Sequence, residues 1–198
     1  MAPKGWRRRR DGVTDAFPYT IENGAGETLT FVRVVPTDRG DRLEVEFRAL
    51  AGAGPPMHVH HLQEEAMTVL GGKVGYQIHG GPPQYAEAGE SVVFPPGVAH
   101  RWWNAGTTEL LGMGWMMPPL NGRYFLTALF ASMQRSGGKR PGLFDVAFLL
   151  TRYRSEFAML QIPAVVQRLL FPILLVVGRL LGKYGRYADA PPAARQDR

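Results

Sequence analysis

Between Arg42 and Arg48 the chain alternates without a break: Leu43, Val45 and Phe47 fall between Arg42, Glu44, Glu46 and Arg48. A two-residue period is that of a strand with one face buried and the other in water, so this segment predicts a half-buried β-strand. Short segments of strand-forming character recur on both sides of it, at Thr28–Val35, Glu65–Leu70, Lys73–His79, Gln84–Glu87, Ser91–Phe94, Ala99–Asn104 and Glu109–Met117. Turn signals separate them at Gly71-Gly72, Gly80-Gly81-Pro82-Pro83, Pro95-Pro96-Gly97 and Asn104-Ala105-Gly106. Glycine supplies positive φ and proline fixes its own, so such clusters end one strand and redirect the chain into the next. Short strands at this spacing predict an all-β sandwich or barrel over residues 17–119.

The alternation stops after Pro118-Pro119. Residues 120–136 look helical, a Gly-Gly-Lys-Arg-Pro-Gly break follows at 137–142, and Leu143 to about Leu160 predicts a second helix. Pro163 stands where a third helix would start, running to about Tyr184, with Pro172 expected to kink it. The expected architecture is therefore mainly β: a flexible basic leader over 1–16, a β-barrel over 17–119, a helical C-terminal extension of about three helices over 120–187, and a disordered tail over 188–198. That tail is Ala/Pro/charge-rich.

Within the third helix, ten uncharged residues separate Arg168 from Arg179. Spanning a bilayer takes about 20. At 100° per residue Arg168, Arg179, Lys183 and Arg186 fall within about 60° of one another, and the rest of the circumference is largely Leu, Val, Ile and Phe. Three partners for that apolar surface stay open: the barrel, a second protomer in a homodimer, or a membrane interface contacted peripherally through 163–186.

Composition narrows the function classes only partly. With 198 residues, 45% hydrophobic and 20% charged, the chain suits one domain with an appendage. It has no cysteine, which excludes a disulfide framework and a thiolate metal site. The formal charge of +6 gathers in Lys4 and Arg7–Arg10 and again after about residue 120. Such a surplus attracts nucleic acid, anionic lipid or acidic substrate. No phosphate loop or recognisable nucleic-acid reading module accompanies it, so nucleic acid is not an expected partner. The basic N-terminus has no apolar stretch behind it, which argues against a secretory signal and for a cytoplasmic, or membrane-peripheral, location.

Two segments carry candidate chemistry. The first reads His58-x-His60, four residues, Glu65, six residues, Gly72; the second reads Gly89, five residues, Pro95-Pro96-Gly97, two residues, His100, three residues, Asn104. Strand alternation points His58 and His60 the same way, puts Glu65, Met67 and Val69 on one face, and puts His100 and Trp102 on another. A lone buried histidine is more often a hydrogen-bonded core residue than a ligand; four residues of ligand type at this spacing are a different matter. Three neutral imidazoles and one carboxylate suit one divalent Fe, Mn, Ni, Cu or Zn better than Mg or Ca. Four such ligands leave two positions open on an octahedral ion, and the net positive charge favours an anionic partner. Glu64 is the alternative to Glu65, which is preferred because it is in phase with Met67 and Val69; His61 falls on the opposite face. Met57, Met67, Tyr76, Trp102, Met113, Trp115 and Met117 are expected to face inward, a lining suited to an aromatic or lipophilic small-molecule substrate.

The two segments resemble the two sequence motifs of the cupin superfamily, the second at every fixed position. The resemblance covers roughly residues 40–117 and implies a jelly-roll barrel with one metal held by His58, His60, Glu65 and His100. Among the activities it implies is that of an oxygenase similar to the quercetin-cleaving cupins, with Glu65 as ligand and, on loosening, as the catalytic base that ionises the substrate. It equally implies an isomerase or cyclase using the metal as a Lewis acid, or a non-catalytic ligand-binding cupin attached through its helical tail. Homodimers are common in the family.

Overall fold

The computed structural model describes residues 16–138 and 140–195, so the basic leader lies outside the described residues apart from Ala16. The strands are β1 (Tyr19–Glu22), β2 (Glu27–Thr37), β3 (Gly40–Ala49), β4 (His58–His60), β5 (Glu64–Gly71), β6 (Lys73–Ile78), β7 (Gln84–Glu87), β8 (Ser91–Phe94), β9 (His100–Asn104), β10 (Leu110–Met117) and β11 (Phe157–Met159). One sheet runs β1-β2-β3-β10-β5-β8 and the other β11-β4-β9-β6-β7, all neighbours antiparallel. The chain passes from sheet to sheet between β3 and β6 and again between β7 and β10, which makes a jelly roll. Phe31, Leu43, Val69, Val74, Phe94 and Leu110 fill the space between the sheets.

Helices α1 (Gly122–Arg135), α2 (Leu143–Arg152) and α3 (Ala164–Leu180) follow. They share a second apolar core of Tyr124, Phe125, Leu149, Tyr153, Phe171 and Leu174, and Leu126 packs against both cores. The helix ends follow from glycine. Gly182 has φ of 66°, its N–H bonds Arg179 O at 3.0 Å and the next N–H bonds Gly178 O at 2.8 Å. Gly137 (φ 80°) closes α1 with the same pair of bonds, to Gln134 O and Met133 O. Both satisfy carbonyls that the helix leaves unpaired, and a residue with a Cβ would be strained there. The third helix therefore stops at Leu180 instead of continuing to Tyr184.

Three further expectations need correction. The second helix ends at Arg152, and the stretch expected to continue it turns at Tyr153 and forms β11, which pairs with β4 in the register Phe157↔His60 and Met159↔His58. The barrel is thus completed by a strand from the helical extension. Residues 188–195, expected to be disordered, are tied down: Arg152 Nε donates to Pro191 O at 3.0 Å, Ser155 Oγ to Ala194 O at 2.7 Å, and Asn121 Nδ2 to Pro192 O at 2.9 Å. The third concerns the direction of β10. Gly112, Gly114 and Met116 pair with Val69, Met67 and Glu65 of β5, so these are the inward positions. Met113, Trp115 and Met117 point the other way. Met113 is 41% exposed, and Trp115 and Met117 line an outer hollow with Thr37, Asp38, Arg39 and Arg42. Space explains the choice of parity: the Phe47 ring occupies the place where a Cβ on Gly112 would stand, 2.2 Å from that ring.

Candidate metal centre

His58, His60 and His100 come from adjacent strands of one sheet, Glu65 from the facing sheet. β4 and β9 meet at His58↔His100, and β5 places Glu65 opposite both Phe94 and Met116. The four ligand-type atoms lie within 4.8 Å of one another. Glu65 Oε2 stands at the centre, 3.2 Å from His60 Nε2, 3.2 Å from His100 Nε2 and 3.9 Å from His58 Nε2. Glu64 points away and pairs with Arg39 at 3.2 Å, which settles the doubled glutamate in favour of Glu65.

The imidazoles are held in orientation by their other nitrogens. His58 Nδ1 donates to Pro56 O and His100 Nδ1 to Val98 O, both at 2.8 Å. A carbonyl oxygen only accepts, so each Nδ1 carries a proton, which leaves Nε2 as the nitrogen each ring can offer to a metal. His60 is fixed by packing instead: Phe157 meets its ring edge-on at 5.3 Å, and the ring is 5% exposed. Phe94 stacks on His100 with centroids 3.9 Å apart and planes 2° from parallel.

Electrostatics completes the donor set. Burial lowers the His60 imidazole from 6.5 to about 3, which keeps it neutral. Burial alone would raise Glu65; His60, then hydrogen bonding from His100 and His58, outweighs it and holds the carboxyl well below its usual range. His60 Nε2 and His100 Nε2 each lie 3.2 Å from a carboxylate oxygen, a spacing that needs a shared proton or an ion between them. Such an arrangement is stable only with positive charge in the middle. A proton there serves one nitrogen, whereas a divalent ion serves all four donors at once. Imidazole and carboxylate together suit a first-row transition metal, and these residues fit it.

Of the residues expected around the site, Met67 and Trp102 are buried between the sheets, Trp102 against Phe47 at 5.2 Å. Tyr76 faces inward opposite Trp102, but its hydroxyl is engaged, donating to Gln84 Oε1 at 3.0 Å. Met57 is half-buried, its carbonyl accepting from Leu160 N–H at 3.1 Å beside β11. His61 is half-buried and its N–H bonds Glu156 O at 2.7 Å. Phe94, Met116 and Phe157 border the site and were missed. The first two were within reach of strand parity; Phe157, on a three-residue strand, left no periodic signal.

Behind β11 lies a carboxylate that the sequence did not single out. Glu156 is fully buried and accepts four hydrogen bonds. They come from Gln63 Nε2 (3.2 Å), Asn121 N (3.0 Å), Asn121 Nδ2 (2.6 Å) and Ala194 N (2.8 Å). It joins the loop between His60 and Glu65, the start of α1 and the C-terminal segment at one point beside the candidate ligands.

Residues 45–113 match the family model of the cupin domain. That match lies within the barrel, which has the cupin fold. Solved structures with a similar fold include KdgF from Halomonas sp., 19% identical, with a TM-score of 0.41 over 46% of this chain and 79% of that one. A conserved protein with a double-stranded β-helix domain from Klebsiella pneumoniae is 22% identical, with a TM-score of 0.41 over 54% and 83%. A sugar phosphate isomerase of the cupin superfamily from Silicibacter pomeroyi is 17% identical, with a TM-score of 0.39 over 46% and 59%. Such likeness concerns the fold alone. No curated protein matches the chain. Among the described residues no helix is long and apolar enough to cross a membrane.

Proposed function

We propose that this cupin is a mononuclear metal-dependent enzyme, an oxygenase acting on an aromatic or lipophilic small molecule that binds through an ionised oxygen. The observation that carries the proposal is the convergence of three imidazole Nε2 atoms and Glu65 Oε2 within 4.8 Å, two of the nitrogens 3.2 Å from that oxygen. His58, His60, Glu65 and His100 would hold one divalent Fe, Mn, Ni, Cu or Zn. When bound, such an ion supplies Lewis acidity and, for the redox-active members, one-electron chemistry.

The chain's own residues supply the rest. The inward positions of β5, β8 and β10 near the site are Glu65, Met67, Val92, Phe94, Gly114 and Met116, and Glu65 is the only charged one among them. A sugar or dicarboxylate would find few polar partners on that lining, and a flat apolar ring would find many apolar ones. Phe94 and Phe157 shield His100 and His60 from water. The Glu65 side chain is 19% exposed, so its carboxylate is the group placed to take a proton from an incoming phenol.

The test is oxygen uptake by metal-loaded protein against a panel of phenolic substrates, with product analysis. Uptake stoichiometric with substrate loss supports the oxygenase. Equal turnover under nitrogen would overturn it and assign the site to Lewis-acid isomerisation or cyclisation.

A further inference from the structure

The face of α3 that points away from the protein is apolar. Its packed side is Phe171, Leu174 and Gly178, buried against α2 and its surroundings. On the opposite side Val165, Leu169, Ile173, Val176 and Leu180 are 59–82% exposed, and at 100° per residue they occupy an arc of about 80° centred opposite the buried one. Leu170, Val177 and Leu181 widen the stripe. Single exposed leucines are ordinary; an unbroken line of them along a helix of about 25 Å is an interaction surface.

Charge decides what covers it. From Phe157 to Ala188 the chain has no Asp or Glu, while Arg168 and Arg179 border the stripe on one side and Lys183 follows its C-terminal end. Arg186 is engaged elsewhere, 3.6 Å from Asp145. A second copy packed antiparallel and two-fold on this face would bring the Arg168/Arg179 edge against the same edge of its mate, with no carboxylate on the helix to offset the charge. Anionic lipid provides the missing charge and an apolar phase for the leucines, with the arginine stems lying along the boundary. The helix is too short to cross.

We propose that α3 lies in the plane of a membrane interface rich in anionic lipid, with Val165, Leu169, Ile173, Val176 and Leu180 in the acyl boundary and Arg168, Arg179 and Lys183 at the headgroups. The surface stands on the helix alone and does not depend on the chemistry of the metal centre.

The test is co-sedimentation of the full chain with vesicles of phosphatidylcholine alone and of phosphatidylcholine mixed in equal parts with phosphatidylglycerol. Two variants accompany it: Ile173→Asn/Val176→Asn/Leu180→Asn, and Arg168→Gln/Arg179→Gln. All five side chains are exposed, so both variants should keep the parent's circular dichroism and melting temperature. The expected result is binding to the mixed vesicles that falls about tenfold or more on phosphatidylcholine alone and in the triple variant, with weaker, less salt-sensitive binding by the arginine variant. Failure of the parent to sediment with the mixed vesicles, or equal binding by parent and triple variant, would overturn the proposal. So would a parent dimer that the triple variant dissociates, in a protein that ignores vesicles; that outcome assigns the face to a second copy.

Discussion

His58 and His100 stand directly opposite each other on neighbouring strands, ring centroids 4.5 Å apart, and each donates its Nδ1 proton to the carbonyl two residues before it in the chain. The same local device thus orients both rings. Each Nε2 is aimed at Glu65, whose carboxylate enters from the other sheet. The four ligand-type atoms are therefore gathered before any ion arrives.

Three imidazoles and a carboxylate gathered in a buried site should be less stable empty than filled. Chelation is expected to lower the melting temperature, and restoring metal at about 100 times its Kd should return about 2.7 kcal/mol, or roughly 5–10 °C for a chain of this size. His60→Ala should remove that metal-dependent increment. Differential scanning calorimetry on apo and reloaded protein checks it; an equal increment in parent and variant would contradict the ligand assignment.

Glu156 gathers four donors with no solvent to replace it. Glu156→Gln turns one acceptor oxygen into a donor facing donors. The expected loss is about 2–4 kcal/mol, seen as a fall of roughly 5–15 °C in melting temperature. Because β11 and the C-terminal segment meet there, residues 190–195 should also become more open to protease in the variant than in the parent.

Glu27, outside the candidate ligand set, provides a pH test. Burial raises its carboxyl from 4.5 to about 7, only partly offset by the hydrogen bond from Asn23. Between those values the folded chain holds a proton that the unfolded chain has released. Stability contributed at this position must therefore fall as pH rises from about 4.5 to 7 and level off above, by about 3 kcal/mol in all. Glu27→Gln should flatten that part of the profile. Urea unfolding at a series of pH values compares the two; parallel curves would contradict it.

The parity of β10 can be tested by substitution on its two faces. Gly112→Ala forces a methyl to within 2.2 Å of the Phe47 ring and should destabilise by about 1–3 kcal/mol. Trp115→Ala removes an outward ring that Arg42 covers at 5.8 Å, and should cost about 1 kcal/mol or less while leaving metal content unchanged. Urea unfolding and elemental analysis read both. A larger loss for Trp115 than for Gly112 would contradict the register.

The contrast among these residues shows what the sequence could convey. His58, His60, Glu65 and His100 were legible because alternation within short strands is a local property, and the second motif fixes its turn with Pro95-Pro96-Gly97. Met113 and Trp115 were misplaced because hydrophobicity marks a strand without saying which face is inside; the small Gly112 and Gly114 turn inward since the Phe47 ring and the Ala66 carbonyl leave no room for a Cβ there. β11 and the ordered segment 188–195 depend on Glu156, a buried carboxylate whose partners are 35 to 93 residues away in the chain. No window along the chain contains that information. The exposed side of α3 is the intermediate case: its amphipathic pattern was visible, but which arc would be packed required the position of α2.

The central claim is that four residues of two sheets hold one metal ion. Elemental analysis of untagged purified protein, beside the His58→Ala/His100→Ala double variant, tests it most directly. The account predicts close to one equivalent of Fe, Mn, Ni, Cu or Zn in the parent and near none in the variant. A parent that takes up no metal even after reconstitution would contradict it and leave a cupin barrel without a metal centre.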